Sequence, residues 1–185
     1  MRCGVSRLAN EKANKMIIET PRLTLQLLTL EQAELYFLGN NLLEKNLQLP
    51  DSNRVIDAHF KEVAENVFLP NLRKEETSAI FYSFFILIEN TAKEIVGEIG
   101  CHSKPNETGE VEIGYSTQAH FQNKGYMSEA VGAFSKQLLS LEMVKTIIAI
   151  TDKSNIPSQK VLICNNFIRD NETAETIIWK LNKII

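Results

Sequence analysis

HFQNKGYMSEA, residues 120–130, sets Gly125 between Lys124 and Tyr126 at the point where a helix is due to start. Downstream, Met127, Ala130, Val131, Phe134, Leu138 and Leu141 recur at spacings of three and four, which predicts an amphipathic helix from about Tyr126. Upstream, Val111, Ile113 and Tyr115 alternate, which predicts a strand ending near Tyr115. The stretch therefore lies at a helix N-terminus, where the first amides have no intrahelical partners and the dipole favours negative charge. Gly125 lacks the Cβ that would hold an anion away, and Gln122 and Lys124 add side-chain donors. Such a loop reads as a seat for a diphosphate. Spacing alone serves equally well for a turn with a flexible helix start. Neither GxxxxGK[ST] nor GxGxxG is present, which speaks against a P-loop or a Rossmann site.

Working outward, RLTLQLL places Leu23, Leu25 and Leu27 on one face of a strand. Thr29 and Gln32 have capping-box spacing and open a helix, for which Gly39-Asn40-Asn41 supplies an end. Ile56, Phe60, Val63 and Val67 predict a further helix, stopped at Pro70. FYSFFILIEN, EIVGEIGCH and EVEIGY are strand-forming runs separated by turn-rich segments, and they predict an antiparallel meander. After the helix from Tyr126, VKTIIAIT reads as a strand buried on both faces, PSQKVLICNNF as a short helix, and TIIWKLNKII as one or two closing strands. The order describes a mixed α/β sheet with helices packed on it. The change from meander to crossover falls at the opening stretch, where clefts form beside strand ends.

A chain of 185 residues, 44% apolar and 23% charged, has the profile of a globular protein. Residues 1–15 are polar and unpatterned and read as an arm open to disorder, with 16–185 a single domain. A net charge of −3 gives no reason to bind nucleic acid, and no apolar run is long enough to span a bilayer. The opening residues lack the apolar middle of a secretory signal, and three cysteines without CxxC spacing read as reduced thiols, so the expected location is the cytoplasm. Cys101 and His102 are adjacent, but neighbours on a strand point to opposite faces, so no metal is expected. Cys101 and Cys164 read as small buried residues.

Gln122-Asn123-Lys124-Gly125-Tyr126-Met127 resembles the Q/R-x-x-G-x-G/A segment of the GNAT superfamily of N-acetyltransferases. IIETPRLTLQLLT, EIVGEIG, EIGYSTQAHFQNKGYMSEA and NIPSQKVLICNNF are similar to its RimJ/RimL-like branch, in order, from about Met16 to Phe167. The resemblance implies a mixed, largely antiparallel sheet of six to seven strands with helices on both faces, splayed between the fourth and fifth strands. It implies acetyl-CoA as the acyl donor. By position, Tyr115, Ser116 and Thr117 would flank the pantetheine arm, Gln122, Asn123, Lys124, Gly125, Tyr126, Met127 and Ser128 would hold the phosphates, and Asn155 would touch the cofactor. Met127 stands where glycine or alanine is usual, and Asn166 replaces a glycine, which asparagine's tolerance of left-handed helix ends permits.

Transfer to an amine needs a neutral nucleophile and a proton for the leaving thiolate. Glu112 lies where relatives often carry a base, although it also fits as the outward carboxylate of an alternating strand; Glu110 is the weaker candidate. The position where many relatives carry a proton-donating tyrosine holds Leu162, which leaves Ser158 as the nearest hydroxyl. Ser158 also fits as a first-turn serine, Asn155 as a helix cap and Tyr115 as a core aromatic. The implied activity is direct attack of an amine on acetyl-CoA. A protein N-terminal α-amine is the first acceptor; a small amine, or a non-catalytic acyl-CoA binder, remains the alternative. The acceptor cleft is expected from residues 38–71 and the C-terminal strands, and the chain is expected as a monomer or homodimer.

Overall fold

The computed structural model describes residues 16–52, 54–56, 58–74 and 79–184; the expected arm at 1–15 lies outside them. The chain opens with β1 (Ile17–Glu19) and β2 (Leu23–Leu27). Thr29 then caps α1 (Leu30–Leu38) through the reciprocal bonds with Gln32 that the capping-box spacing requires. Gly39 ends that helix at φ +71°. Asn40 and Asn41 are also left-handed, but Asn41 then leads into a second helix, α2 (Leu42–Leu47), that the pattern did not predict.

The next helix is α3 (Ala58–Val63), which widens into a π turn (Ala64–Phe68) and continues as α4 (Leu69–Leu72). Pro70 does not stop it, contrary to expectation. The Leu69 amide reaches back five residues to Ala64, and this wider turn immediately precedes a proline that has no N–H and needs room against the preceding turn. A short α5 (Ala79–Tyr82) takes Phe81 and Tyr82 out of the expected strand.

The meander follows as β3 (Phe84–Glu89), β4 (Ile95–Cys101) and β5 (Glu110–Thr117), each antiparallel to the one before. Then come α6 (Tyr126–Ser140), β6 (Thr146–Asp152), α7 (Ile156–Cys164), β7 (Ile168–Glu172) and β8 (Thr176–Asn182). The sheet order is β1-β2-β3-β4-β5-β6-β8-β7, with β5–β6 the parallel pair. Eight strands form where six to seven were expected. β1 is three residues long and β7 is an exposed polar edge, so neither carries a readable alternation.

Alternation along β3 divides the interior. Phe85 and Leu87 join the core under α6 and α7, together with Leu23, Leu25, Phe134 and Leu162. Phe84, Ile86 and Ile88 face the opposite way, toward α1–α4, with Tyr36 and Phe68. On that face Tyr36, Phe37, Phe60, Phe68 and Phe84 pack mostly edge to face, with centroids 5.0–6.1 Å apart. β6 is not buried on both faces as expected: Ile147 and Ala149 are buried, whereas Ile150 is 47% exposed because its face borders a cleft.

Candidate active site

β5 and β6 pair only at Glu110–Thr146, Val111–Ile147 and Glu112–Ile148. Beyond Glu112, β5 runs on to Thr117 and β6 to Asp152 without registered partners across the gap, so the sheet is splayed there. On its other side β5 stays bonded to β4, with Ser116 opposite Glu98 and Thr117 opposite Gly97. The splay leaves a backbone edge along Ile113–Thr117 available for an extended ligand to pair with, as an added strand would. A cleft of about 580 Å³ opens at this place. Its walls include Tyr115 and Ser116 from β5, Thr151 and Asp152 from β6, and Asn155 and Ser158 from α7.

Directly after β5, whose last residues line the cleft, comes the loop that leads into α6. Asn123 and Gly125 are left-handed, at φ +60° and +78°, and no side chain caps the helix. The amides of its first turn therefore have no side-chain partner. The side chains behave less uniformly. Gln122 turns back to donate to the Thr117 carbonyl at 3.4 Å, and Lys124 Nζ sits 4.9 Å from the centre of the Phe121 ring. Tyr126 packs near Phe121, Met127 is buried with its terminal methyl beside Gly97, and the Ser128 carbonyl accepts a bond from Asn165. Met127 can thus offer backbone rather than side chain.

The sequence pattern did not point to Arg22. Its Nε donates to Glu129 Oε2 at 2.6 Å and its Nη1 to the Lys124 carbonyl at 2.9 Å, while its guanidinium lies 4.9 Å over the Tyr126 ring. Thr20 donates to the other Glu129 oxygen. Burial alone would raise the Glu129 pKa, but the bonds from Thr20 and Arg22 outweigh it and hold the carboxyl below its ordinary range. The turn between β1 and β2 is thereby tied to the first turn of α6. Since Arg22 lies about a hundred residues from the loop, nothing local in the sequence links the two.

The other side chains divide between the two faces of the splay. On the α7 side, the Tyr115 hydroxyl stands 2.8 Å from Ser158 Oγ. Burial pushes the Tyr115 phenol up to about 12. Asn155 Oδ1 accepts from the Ser158 amide, so Asn155 caps α7 and lines the cleft as well. Leu162 is fully buried in the core beneath them.

On the opposite side, Glu112 Oε1 lies 2.9 Å from His102 Nδ1. This pairing went unread because His102 follows the end of β4 and only the β4–β5 register brings it to Glu112, whose carbonyl also accepts the His102 amide. Phe60, Val63 and Phe68 close that side, so of the expected acceptor wall the helices contribute while β7 and β8 do not line the described cleft. Gln118, just after β5, exchanges two hydrogen bonds with the Val55 backbone and ties this wall to the cofactor-side strand. Glu110 is engaged elsewhere: bonds from Asn106 and then Lys180 lower its pKa. Cys101 is buried, which raises its thiol pKa, whereas Cys164 is exposed at the end of α7, contrary to expectation.

A split mixed sheet with bare helix amides beside the split is the arrangement the GNAT resemblance implies. Residues 22–167 match the Acetyltransferase (GNAT) domain, and the chain belongs to that family. It is 35% identical over 98 residues to YjdG of Bacillus subtilis strain 168, named as an uncharacterized N-acetyltransferase; the match covers 53% of this chain and 58% of that one, little more than half the length of the relative. In solved structures, the fold is shared with the ribosomal-protein-S5-alanine acetyltransferase of Vibrio fischeri (TM-score 0.67, 16% identity, 91% of this chain and 97% of that one). It is shared equally with RimL, the ribosomal L7/L12 alpha-N-protein acetyltransferase, in complex with coenzyme A (TM-score 0.62, 14% identity, 90% and 98%). No helix among the described residues is long and apolar enough to cross a membrane.

Proposed function

We propose that the protein is an acetyl-CoA-dependent N-acetyltransferase that acts by direct attack of an amine, with a protein N-terminal α-amine as its first acceptor class. The observation that carries the reading is the division of groups across the splay. Ser158 and Tyr115 stand on the α7 side, and Glu112 with His102 stands on the side walled by Phe60, Val63 and Phe68. Residues 16–185 act as one domain, with 1–15 an arm, in the cytoplasm, as a monomer or homodimer.

In this reading the diphosphate of acetyl-CoA rests on the amides from Asn123 to Ser128, with Gln122 beside it, and Asn155 touches the cofactor within the cleft. The pantetheine arm pairs with the free edge at Tyr115–Thr117, which brings the thioester to the gap between β5 and β6. Glu112 provides the basic side of the gap, where an amine must lose a proton. Ser158, with the Tyr115 phenol held protonated by burial, provides the hydroxyl side, where the thiolate must gain one. The carboxylates Glu112 and Asp152 in the cleft favour a cationic acceptor. An α-amine, with a pKa of about 8, needs less help than a lysine amine at about 10.4.

The test is thiol release from acetyl-CoA with N-terminal peptides, polyamines and aminoglycosides as acceptors, alongside the melting temperature with and without acetyl-CoA. Turnover on free α-amine peptides is the expected result. Turnover confined to a small amine would move the acceptor class, and a melting-temperature shift with no turnover would make the protein a binder.

A further inference from the structure

We propose that His102, which its sequence neighbours gave no reason to single out, is the group that takes the proton from the acceptor amine, and that Glu112 is its positioning partner. The inference rests on the acetyltransferase reading above and assigns the proton-accepting atom within it.

An ionised carboxylate can only accept hydrogen bonds. With Glu112 Oε1 2.9 Å from His102 Nδ1, the hydrogen belongs on Nδ1, and the neutral ring keeps its lone pair on Nε2. That nitrogen lies over Gly114: a Cβ built at Gly114 would stand 2.5 Å from Nε2, so the ring occupies space that only glycine leaves. His102, Glu112 and Gly114 all line the cleft, and the histidine side chain is 36% exposed. The β5 register explains the grouping, since residues 112 and 114 share one face of the strand. The charged groups around the ring are Glu112 from β5 and, in the same cleft, Asp152 from β6; the wall from α3 and the π turn is Phe60, Val63 and Phe68. The imidazole is thus the neutral base in a setting where carboxylates attract the amine.

The step balances. The amine nitrogen forms a bond to the thioester carbonyl carbon and gives one proton to His102 Nε2. The C–S bond breaks, and the thiolate takes a proton from the Ser158 hydroxyl. An acceptor that arrives as an ammonium first gives its extra proton to solvent; after the transfer the imidazolium returns its proton to solvent, and solvent returns one to Ser158 by way of Tyr115. The products are the amide and free coenzyme A.

The test compares His102→Asn and Glu112→Gln under saturating acetyl-CoA and acceptor. In His102→Asn the new side chain keeps a donor near Glu112 but has no second ring nitrogen, so kcat should fall by about 100-fold or more while acetyl-CoA still raises the melting temperature as in wild type. In Glu112→Gln the amide oxygen can still accept from Nδ1, so the loss should be the smaller of the two. The KM values for acetyl-CoA and acceptor should stay near wild type in both variants, so that the loss is read in kcat alone. Gly114→Ala, which must displace the ring, should reproduce the kcat loss without removing either partner. A His102→Asn enzyme with wild-type kcat, or a larger loss in Glu112→Gln than in His102→Asn, overturns the assignment and leaves the acetyltransferase reading intact. A protein that binds acetyl-CoA yet acetylates no amine overturns both.

Discussion

The Tyr115 hydroxyl and Ser158 Oγ lie 2.8 Å apart, joining the end of the central strand to the first turn of α7. Leu162 is buried below them, and in the proposed function the two would together supply the proton for the thiolate. Ser158→Ala should lower kcat by about 100-fold with little change in acetyl-CoA affinity, and Tyr115→Phe should lower it less. Because burial raises the phenol to about 12, Tyr115 stays protonated through the working range. The sign is the usual one for an acid harder to ionise when folded. Its contribution to stability is complete below the unfolded value of about 10 and is lost as pH rises toward 12. A tyrosinate absorbance titration of wild type against Tyr115→Phe checks this.

Gly125 and Gly39 both have positive φ, +78° and +71°, but differ in ψ, 3° and −149°. Alanine at Gly125 should cost about 1 kcal/mol of stability from backbone strain, and more at Gly39, whose region is essentially reserved for glycine. Only Gly125→Ala should weaken acetyl-CoA, by about tenfold, since only there does backbone approach matter. Calorimetric titration of both variants separates strain from binding.

Arg22 braces the loop before α6 through Glu129 and the Lys124 carbonyl. Replacing it with Gln removes the ionic bond to Glu129 and weakens the hold on the Lys124 carbonyl. Acetyl-CoA affinity should fall by about tenfold, while kcat at saturating acetyl-CoA stays near wild type. A loss confined to kcat would contradict a role in shaping the loop.

The acceptor side has its own anchor in Glu44 and Arg54, 3.1 Å apart with side chains only 1% and 4% exposed. Burial alone would raise Glu44, but bonds from Arg54 and Ser52 prevail and hold it below its ordinary 4.5. Its contribution is therefore present above that value and lost as pH falls. Arg54→Ala should cost about 3–5 kcal/mol by stranding the carboxylate, and Glu44→Gln in the same chain should recover part of the loss. Urea denaturation of the three proteins provides the comparison.

The parts legible in the sequence were those written locally. The Thr29–Gln32 box, the meander, the α6 stripe and the Gly125 turn each carry their signal within one segment. What escaped depends on residues meeting across the fold. Arg22 reaches Glu129 from the turn before β2, and His102 meets Glu112 only through the β4–β5 register. Pro70 misled because a π turn upstream relieves the constraint that a proline imposes on an ordinary helix. β1 and β7 were too short or too polar to show a face.

The split between β5 and β6 has a consequence for how such a protein diversifies. Each face of the sheet has its own core, Leu25 and Phe134 on one side, Tyr36 and Phe84 on the other. In the proposed function, donor handling falls to the first and acceptor choice to the second, and they meet at a slot a few residues long. Selection can therefore rewrite residues 38–71 to suit a new acceptor while the opposite half continues to hold the same thioester.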